Sequence, residues 1–342
     1  MKAVRLHAYS EHPRLEEVPE PVITGPHDVI VRIAGAGLCR TDVHIRDGWF
    51  APAVPTELPV TLGHENTGFV HEVGSAVENV GTGDAVICHP QVSCGLCPAC
   101  RIGDDMRCAR GLSFTGLTRD GGFAELLRTT DRGVLPLPAG LEPVVVAPHA
   151  DAGLTVMHVV RKAVPLLEAG TRVVVVGIGG LGHIGVQCLR ALTPAEIIAV
   201  DRDPEALKLA ADCGAHHLVH ADDQQGDRVR ALTGGAGAEA VIDFVGEGDA
   251  VAASLAMVRA RGTYFLVGYG GELRVPTFNL VLPEISVVGN AVGTYDDLRE
   301  LIALAAGGGV SVRTRTYPLD EFADAFADLE NGRMHGRGVL VP

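Results

Sequence analysis

The stretch RVVVVGIGGLGHIGVQCLRAL, residues 172–192, constrains the fold more than any other part of the chain. A run of β-branched residues reads as a strand buried on both faces, and Gly177, Gly179 and Gly182 follow it at the mouth of a predicted helix. Each glycine has a separate task in a G-x-G-x-x-G turn. The first permits a tight turn, the second lets backbone N–H groups approach a pyrophosphate, and the third allows close packing of helix on strand. A second strand, EIIAVD, ends at Asp201, about 20 residues after the glycines, where a carboxylate accepts hydrogen bonds from an adenosine ribose. Its charge repels a 2′-phosphate, so NAD is expected over NADP, with the adjacent Arg202 softening the repulsion.

The surrounding texture extends this reading. The segment DPEALKLAADCGA predicts a helix capped by Asp203 with Pro204 in its first turn. HLVHA, AVIDFVG and GTYFLVG supply short strands, with GDAVAASLAMVRA expected as a helix between the last two. The pattern is α/β, a doubly wound parallel sheet. The first 150 or so residues differ, because KAVRL, DVIVRIAGAGL, NTGFVHEVG and DAVICHP alternate or run apolar between Gly, Pro and Asp punctuation. They predict an irregular β-rich domain. The C-terminal YDDLRELIALAAGG reads as a helix, and GVLVP as a closing strand.

At 342 residues, with 47% hydrophobic and 20% charged side chains, the chain has enough apolar material for two cores. A formal charge of −14 and the lack of a basic stripe argue against a nucleic-acid partner. The most apolar stretch, Val173–Leu189, is interrupted by glycines, His183 and Gln187, so it is expected as strand and helix rather than a membrane span. MKAVRLHAYSEHPRLEEVPEP has no signal-like apolar segment, and a cytoplasmic protein is expected.

Eight cysteines without a secretory signal read as thiols or metal ligands. Cys94, Cys97, Cys100 and Cys108 form C-x2-C-x2-C-x7-C. Four thiolates complete a tetrahedral Zn²⁺ and leave no open position, so this metal would hold a loop together. A second set is dispersed. GLCRTDVH brings Cys39, Thr41, Asp42 and His44 together after a strand, and TLGHEN carries His64 and Glu65. Cys and His suit a catalytic zinc, which takes three protein ligands and keeps one exchangeable position. Cys39 as a small buried hydrophobe and His64 as a core histidine is the competing reading. Asp151, in APHADAGLTVMHVV, is an acidic residue at the end of an apolar approach, and an N-cap for the following helix is its competing reading.

The order GLCRTDVH, GHEN, four-cysteine loop, GIGGLG and GRGVLVP resembles the zinc-dependent medium-chain alcohol dehydrogenases over the whole chain. The resemblance implies a GroES-like catalytic domain from residues 1–151 and 291–342, with a Rossmann NAD-binding domain, 152–290, between its parts. It implies Cys39, His64 and Asp151 as catalytic-zinc ligands and Glu65 beside the metal as an alternative ligand. Asp42 would orient the ligand histidine. Thr41 and His44 match a proton relay, Thr155 would face the nicotinamide, and Arg337 matches a basic residue at the cofactor pyrophosphate. Trp49 and Phe50 are expected as substrate-pocket walls or as loop anchors. The implied activity is hydride transfer between a small primary or secondary alcohol and NAD, with two zinc ions per chain, in a homo-oligomeric dimer or tetramer. A polyol or amino-alcohol dehydrogenase of the sorbitol or threonine type is the nearest alternative. A non-catalytic, NADPH-binding, quinone-reductase-like protein is another, and the joint presence of Cys39, Thr41, His44 and His64 speaks against it.

Overall fold

The computed structural model describes residues 1–54 and 56–342, which divide into two compact units. The first comprises Met1–Leu154, Gly293–Gly307 and Val312–Pro342; the second, Thr155–Val292 and Gly308–Ser311.

The first unit opens with β1 (Lys2–Leu6), β2 (Arg14–Glu17), β3 (Asp28–Leu38), α1 (Arg40–Arg46), β4 (Val60–Thr61), β5 (Glu65–Val73) and β6 (Ala85–Cys88). The short helix α2 (Pro98–Arg101), then β7 (Leu126–Thr130), β8 (Val134–Pro136) and α3 (Pro143–Val146) follow, and α4 (Ala152–Ala163) leads out of the unit. β3 is long because apolar residues dominate it, and it is the hub of the sheet. It pairs antiparallel with β5 and β7, and its C-terminal half also receives the C-terminal strand. That pairing leaves the end of β3 and the start of β5 side by side, with Gly37 opposite Glu65.

The second unit contains β9 (Arg172–Val176), α5 (Gly182–Leu192), β10 (Glu196–Asp201), α6 (Pro204–Asp212), β11 (His217–His220) and α7 (Gln225–Leu232). It continues through β12 (Ala238–Asp243), α8 (Ala250–Leu255), β13 (Val258–Leu266), α9 (Phe278–Val281) and β14 (Ser286–Gly289). The strands are all parallel, in the order β11-β10-β9-β12-β13-β14, so the order reverses at β9. This is the doubly wound sheet expected from the sequence. Val173 to Val176 of β9 are buried, each contributing about 1.5–3 kcal/mol of apolar burial. Asp203 caps α6, accepting the Glu205 amide at 3.0 Å.

One expected helix is too long. GDAVAASLAMVRA ends its helix at Leu255, and Val258 already pairs with Ala238 as the first residue of β13. Val258 and Tyr264 pack into the sheet core, so burial against β12 overrides the helical pattern.

The chain returns to the first unit with α10 (Tyr295–Ala306), β15 (Thr314–Pro318), α11 (Phe322–Glu330) and β16 (Arg337–Val341). Thr294 and Asp297 close a reciprocal cap on α10, with bonds of 3.1 and 2.8 Å. β16 pairs with β3 antiparallel and carries Arg337 to the end of β3. No single helix among the described residues is long and apolar enough to cross a membrane.

Candidate metal centres and dinucleotide turn

In the first unit, Cys39, His64, Glu65 and Asp151 are buried, and one ligand atom of each lies within 4.8 Å of the others. Chain topology explains the meeting. Cys39 follows β3 and precedes α1, His64 and Glu65 stand where β5 begins, and Asp151 immediately precedes α4. Asp42, fully buried, fixes two of the four. Its Oδ2 accepts the Cys39 amide at 2.9 Å, and its Oδ1 stands 3.2 Å from His64 Nδ1. His64 Nε2 stands 3.5 Å from Asp151 Oδ2, so a cation bound between them would leave the ring proton on Nδ1, facing Asp42.

The donor set fits zinc. His64 Nε2, Glu65 Oε2 and Asp151 Oδ1 are buried without hydrogen-bond partners. Each such orphan costs about 1–3 kcal/mol, a cost that a bound cation relieves. Thiolate, imidazole and carboxylate are also the donors this metal takes. Burial disfavours a charged His64, yet the Asp42 and Asp151 carboxylates outweigh it and hold its pKa well above the ordinary value. The pocket therefore favours positive charge.

Asp151 is consequently a member of the cluster. The Ala152 amide at the head of α4 bonds to Glu65 Oε1 at 3.2 Å. The structure gives Arg337 a neighbour that the sequence did not suggest. Expected at a pyrophosphate, its buried guanidinium pairs with Glu65. Burial raises the Glu65 pKa even so, with the Arg337 charge opposing. Gly37 matters here, since a side chain at that position would collide with the Glu65 carboxylate.

Thr41 and His44 are half-buried, one helical turn apart on α1, and so share a face. Trp49 stacks on His44 with ring centroids 5.5 Å apart, and Phe50 meets Trp49 edge-on at 6.1 Å. Trp49 is 52% exposed, and its amide donates to the His44 carbonyl in the turn after α1. Phe114 also lies against the cluster, its ring 5.8 Å from that of His64, and is a residue without a spacing signal in the sequence.

The sulfurs of Cys94, Cys97, Cys100 and Cys108 also lie within 4.8 Å of one another, and none is in a disulfide. Amides of Cys97, Ala109 and Cys94 point at the sulfurs of Cys94, Cys97 and Cys108, at 3.4, 3.4 and 3.5 Å. Amide donation, led by Ala109, brings the Cys97 pKa down to about 6 and favours its thiolate. Arg132 ties the loop down, reaching the Cys100 carbonyl at 2.7 Å and Asp105 at 2.9 Å.

In the second unit the three glycines differ as their spacing predicts. Gly177 has φ +83°, Gly179 has open space where a side chain would stand, and a methyl on Gly182 would strike the Gly177 carbonyl. Asp201 sits at the rim of this turn, accepting the Ile178 amide at 2.6 Å and the Asp203 amide at 2.9 Å. Arg202 follows it at the end of β10, and Thr155 is buried in α4.

Residues 25–139 match the alcohol dehydrogenase GroES-like domain family, and residues 180–307 match the zinc-binding dehydrogenase family. An NAD-dependent alcohol dehydrogenase of Sulfurisphaera tokodaii is 35% identical, with both chains covered in full. The chain belongs to the zinc-dependent medium-chain dehydrogenase family. The crystal structure of an alcohol dehydrogenase from Aeropyrum pernix superimposes on this family member with a TM-score of 0.97, at 46% identity and full coverage of both chains. A D-arabinose 1-dehydrogenase (NADP(+)) of Saccharolobus solfataricus is 33% identical, over 100% of this chain and 97% of that one.

Proposed function

We propose that the protein is an NAD-dependent zinc alcohol dehydrogenase acting on small, largely apolar primary or secondary alcohols and on the matching carbonyl compounds. The observation that carries this reading is the Cys39, His64 and Asp151 cluster, whose buried donors suit a three-ligand zinc with an exchangeable position. The first unit supplies catalysis and the second holds the dinucleotide. A second zinc in the four-cysteine loop is structural. When bound, the catalytic metal supplies Lewis acidity towards an alcohol oxygen and the nicotinamide supplies the hydride acceptor.

The chain's own residues supply alignment and proton handling. With a metal bound, Asp42 would hold the ring proton of His64 on Nδ1, and Glu65, paired with Arg337, would stand beside the metal as an alternative donor. Thr41 and His44, on one face of α1, take the hydroxyl proton towards solvent. Phe114 gives the cluster an apolar neighbour. Asp201 supports NAD over NADP by charge, with Arg202 beside it.

The D-arabinose relative favours a second reading, oxidation of a polyol or sugar. A steady-state panel of aliphatic alcohols, polyols, sugars and ketones with NAD and NADP decides between them. The expected result is the highest kcat/KM for an aliphatic alcohol with NAD; preference for a sugar or for NADP overturns the respective assignment.

The protein is further proposed to be a cytoplasmic homo-oligomer, a dimer or tetramer. Exposed Phe278, Val281 and Leu282 follow β13 and precede the edge strand β14, an apolar surface that a second copy would cover. Light scattering should give a mass of two or four times 35.8 kDa, and a mass of 35.8 kDa overturns the proposal.

A further inference from the structure

At the carboxyl ends of β9, β12 and β13, where open α/β sheets bind their ligands, a buried carboxylate stands outside the metal chemistry. Asp243, the last residue of β12, is fully buried beneath the loop that follows it. Its Oδ1 accepts the amides of Val245 and Gly246 at 2.8 and 3.0 Å, and its Oδ2 accepts the hydroxyl of buried Tyr264 at 2.8 Å. Its main-chain carbonyl accepts the amides of Val267 and Gly268, both at 3.0 Å, at the end of β13. One residue therefore ties together both loops.

The consequence reaches the glycine turn. Val245 lies over Gly177, its Cγ2 being 2.6 Å from where a side chain on Gly177 would begin. Gly246 and Gly268 are in backbone contact so close that neither tolerates a side chain. The wall facing the turn is thus set by the position of Val245, and Val245 is set by Asp243.

We propose that Asp243, braced by Tyr264, is a positioning residue for the dinucleotide, acting through Val245 on the space above Gly177. This rests on the reading that the second unit binds NAD. A carboxylate suits the task because it only accepts, and three donors converge on it. Removing the Tyr264 hydroxyl leaves Oδ2 buried and unpaired, so the carboxylate shifts and the loop with it.

Calorimetric titration of NADH into the zinc-loaded wild type and into Tyr264→Phe, Asp243→Ala and Asp243→Asn tests the proposal, with melting temperature and zinc content followed alongside. Tyr264→Phe and Asp243→Ala are expected to raise the Kd for NADH about tenfold. In both, kcat at saturating NAD and zinc content should stay within about twofold of wild type, because no reacting group has been touched. Asp243→Asn should bind nearly as wild type, since its oxygen keeps both amides and its NH₂ donates to the Tyr264 oxygen. If Asp243→Ala does not fold, Tyr264→Phe carries the test. Variants with lowered melting temperature and unchanged Kd overturn the proposal and leave a structural brace only. Failure of the wild type to bind NADH overturns instead the cofactor reading on which it rests.

Discussion

Asp42 shows how far a single side chain determines the metal cluster. Because its two oxygens divide between the Cys39 amide and His64 Nδ1, it fixes the backbone ahead of α1 and stands against the histidine nitrogen opposite the one that faces Asp151. Asp42→Asn keeps the shape but places an NH₂ or a weaker acceptor against Nδ1, so the His64 proton is no longer held away from the cluster. Zinc affinity is expected to fall about 10–100-fold with little change in melting temperature. Competition against a chromogenic chelator measures it, and unchanged affinity would show that Asp42 orients nothing. Residue type and order made Cys39 and His64 legible as candidates, and the resemblance supplied Asp151. The Glu65–Arg337 pair was not legible, for its partners are 272 residues apart and meet only because β16 returns to β3. Phe114 was missed for the same reason: nothing in the spacing around an isolated aromatic says which face it will cover.

At the scale of the element, the strand, turn and helix at β9 and α5 show that equal residue types serve unequal purposes. Gly179 faces open space, whereas a side chain on Gly182 would meet the Gly177 carbonyl. Gly179→Ala is therefore expected to melt as wild type but to bind NADH at least about tenfold more weakly, since a methyl then occupies the approach to the pyrophosphate. Gly182→Ala should lower the melting temperature by forcing α5 off β9. Calorimetry and thermal melts on both variants separate the effects, and equal loss of stability in the two would contradict the division of roles. This local grammar was readable because strand, glycine spacing and helix are contiguous. The start of β13 was not, as Met257 and Val258 continue a helical pattern and become strand only through packing against β12. Trp49 and Phe50, expected as pocket walls or loop anchors, illustrate the same limit: proximity in sequence placed them beside α1, while the stacking of Trp49 on His44 depends on the folded turn.

At the scale of the whole molecule, acid stability draws on a histidine outside the metal cluster. His89 is buried at the end of β6; its Nε2 donates to the Gly293 carbonyl at 3.1 Å and its Nδ1 accepts the Gln91 amide at 3.2 Å. The neutral ring uses both nitrogens. Burial pushes its pKa below the ordinary 6.5, so unfolding takes up a proton and stability declines as pH falls below about 6.5. His89→Gln, which can still donate to Gly293, should show a smaller drop in melting temperature between about pH 7 and pH 5; an equal drop would place the acid sensitivity elsewhere. Function at this scale depends on whether the Cys39, His64 and Asp151 cluster holds the working metal, and Asp151→Asn tests that most directly. An amide caps a helix nearly as well as a carboxylate but is a poorer zinc donor. Zinc per chain and alcohol-dependent NADH formation are measured on one preparation of wild type and variant. Expected are about two zinc ions in the wild type and about one in the variant, with turnover reduced at least about a hundredfold and the melting temperature little changed. An Asp151→Asn protein with the wild-type zinc content and turnover would contradict the assignment.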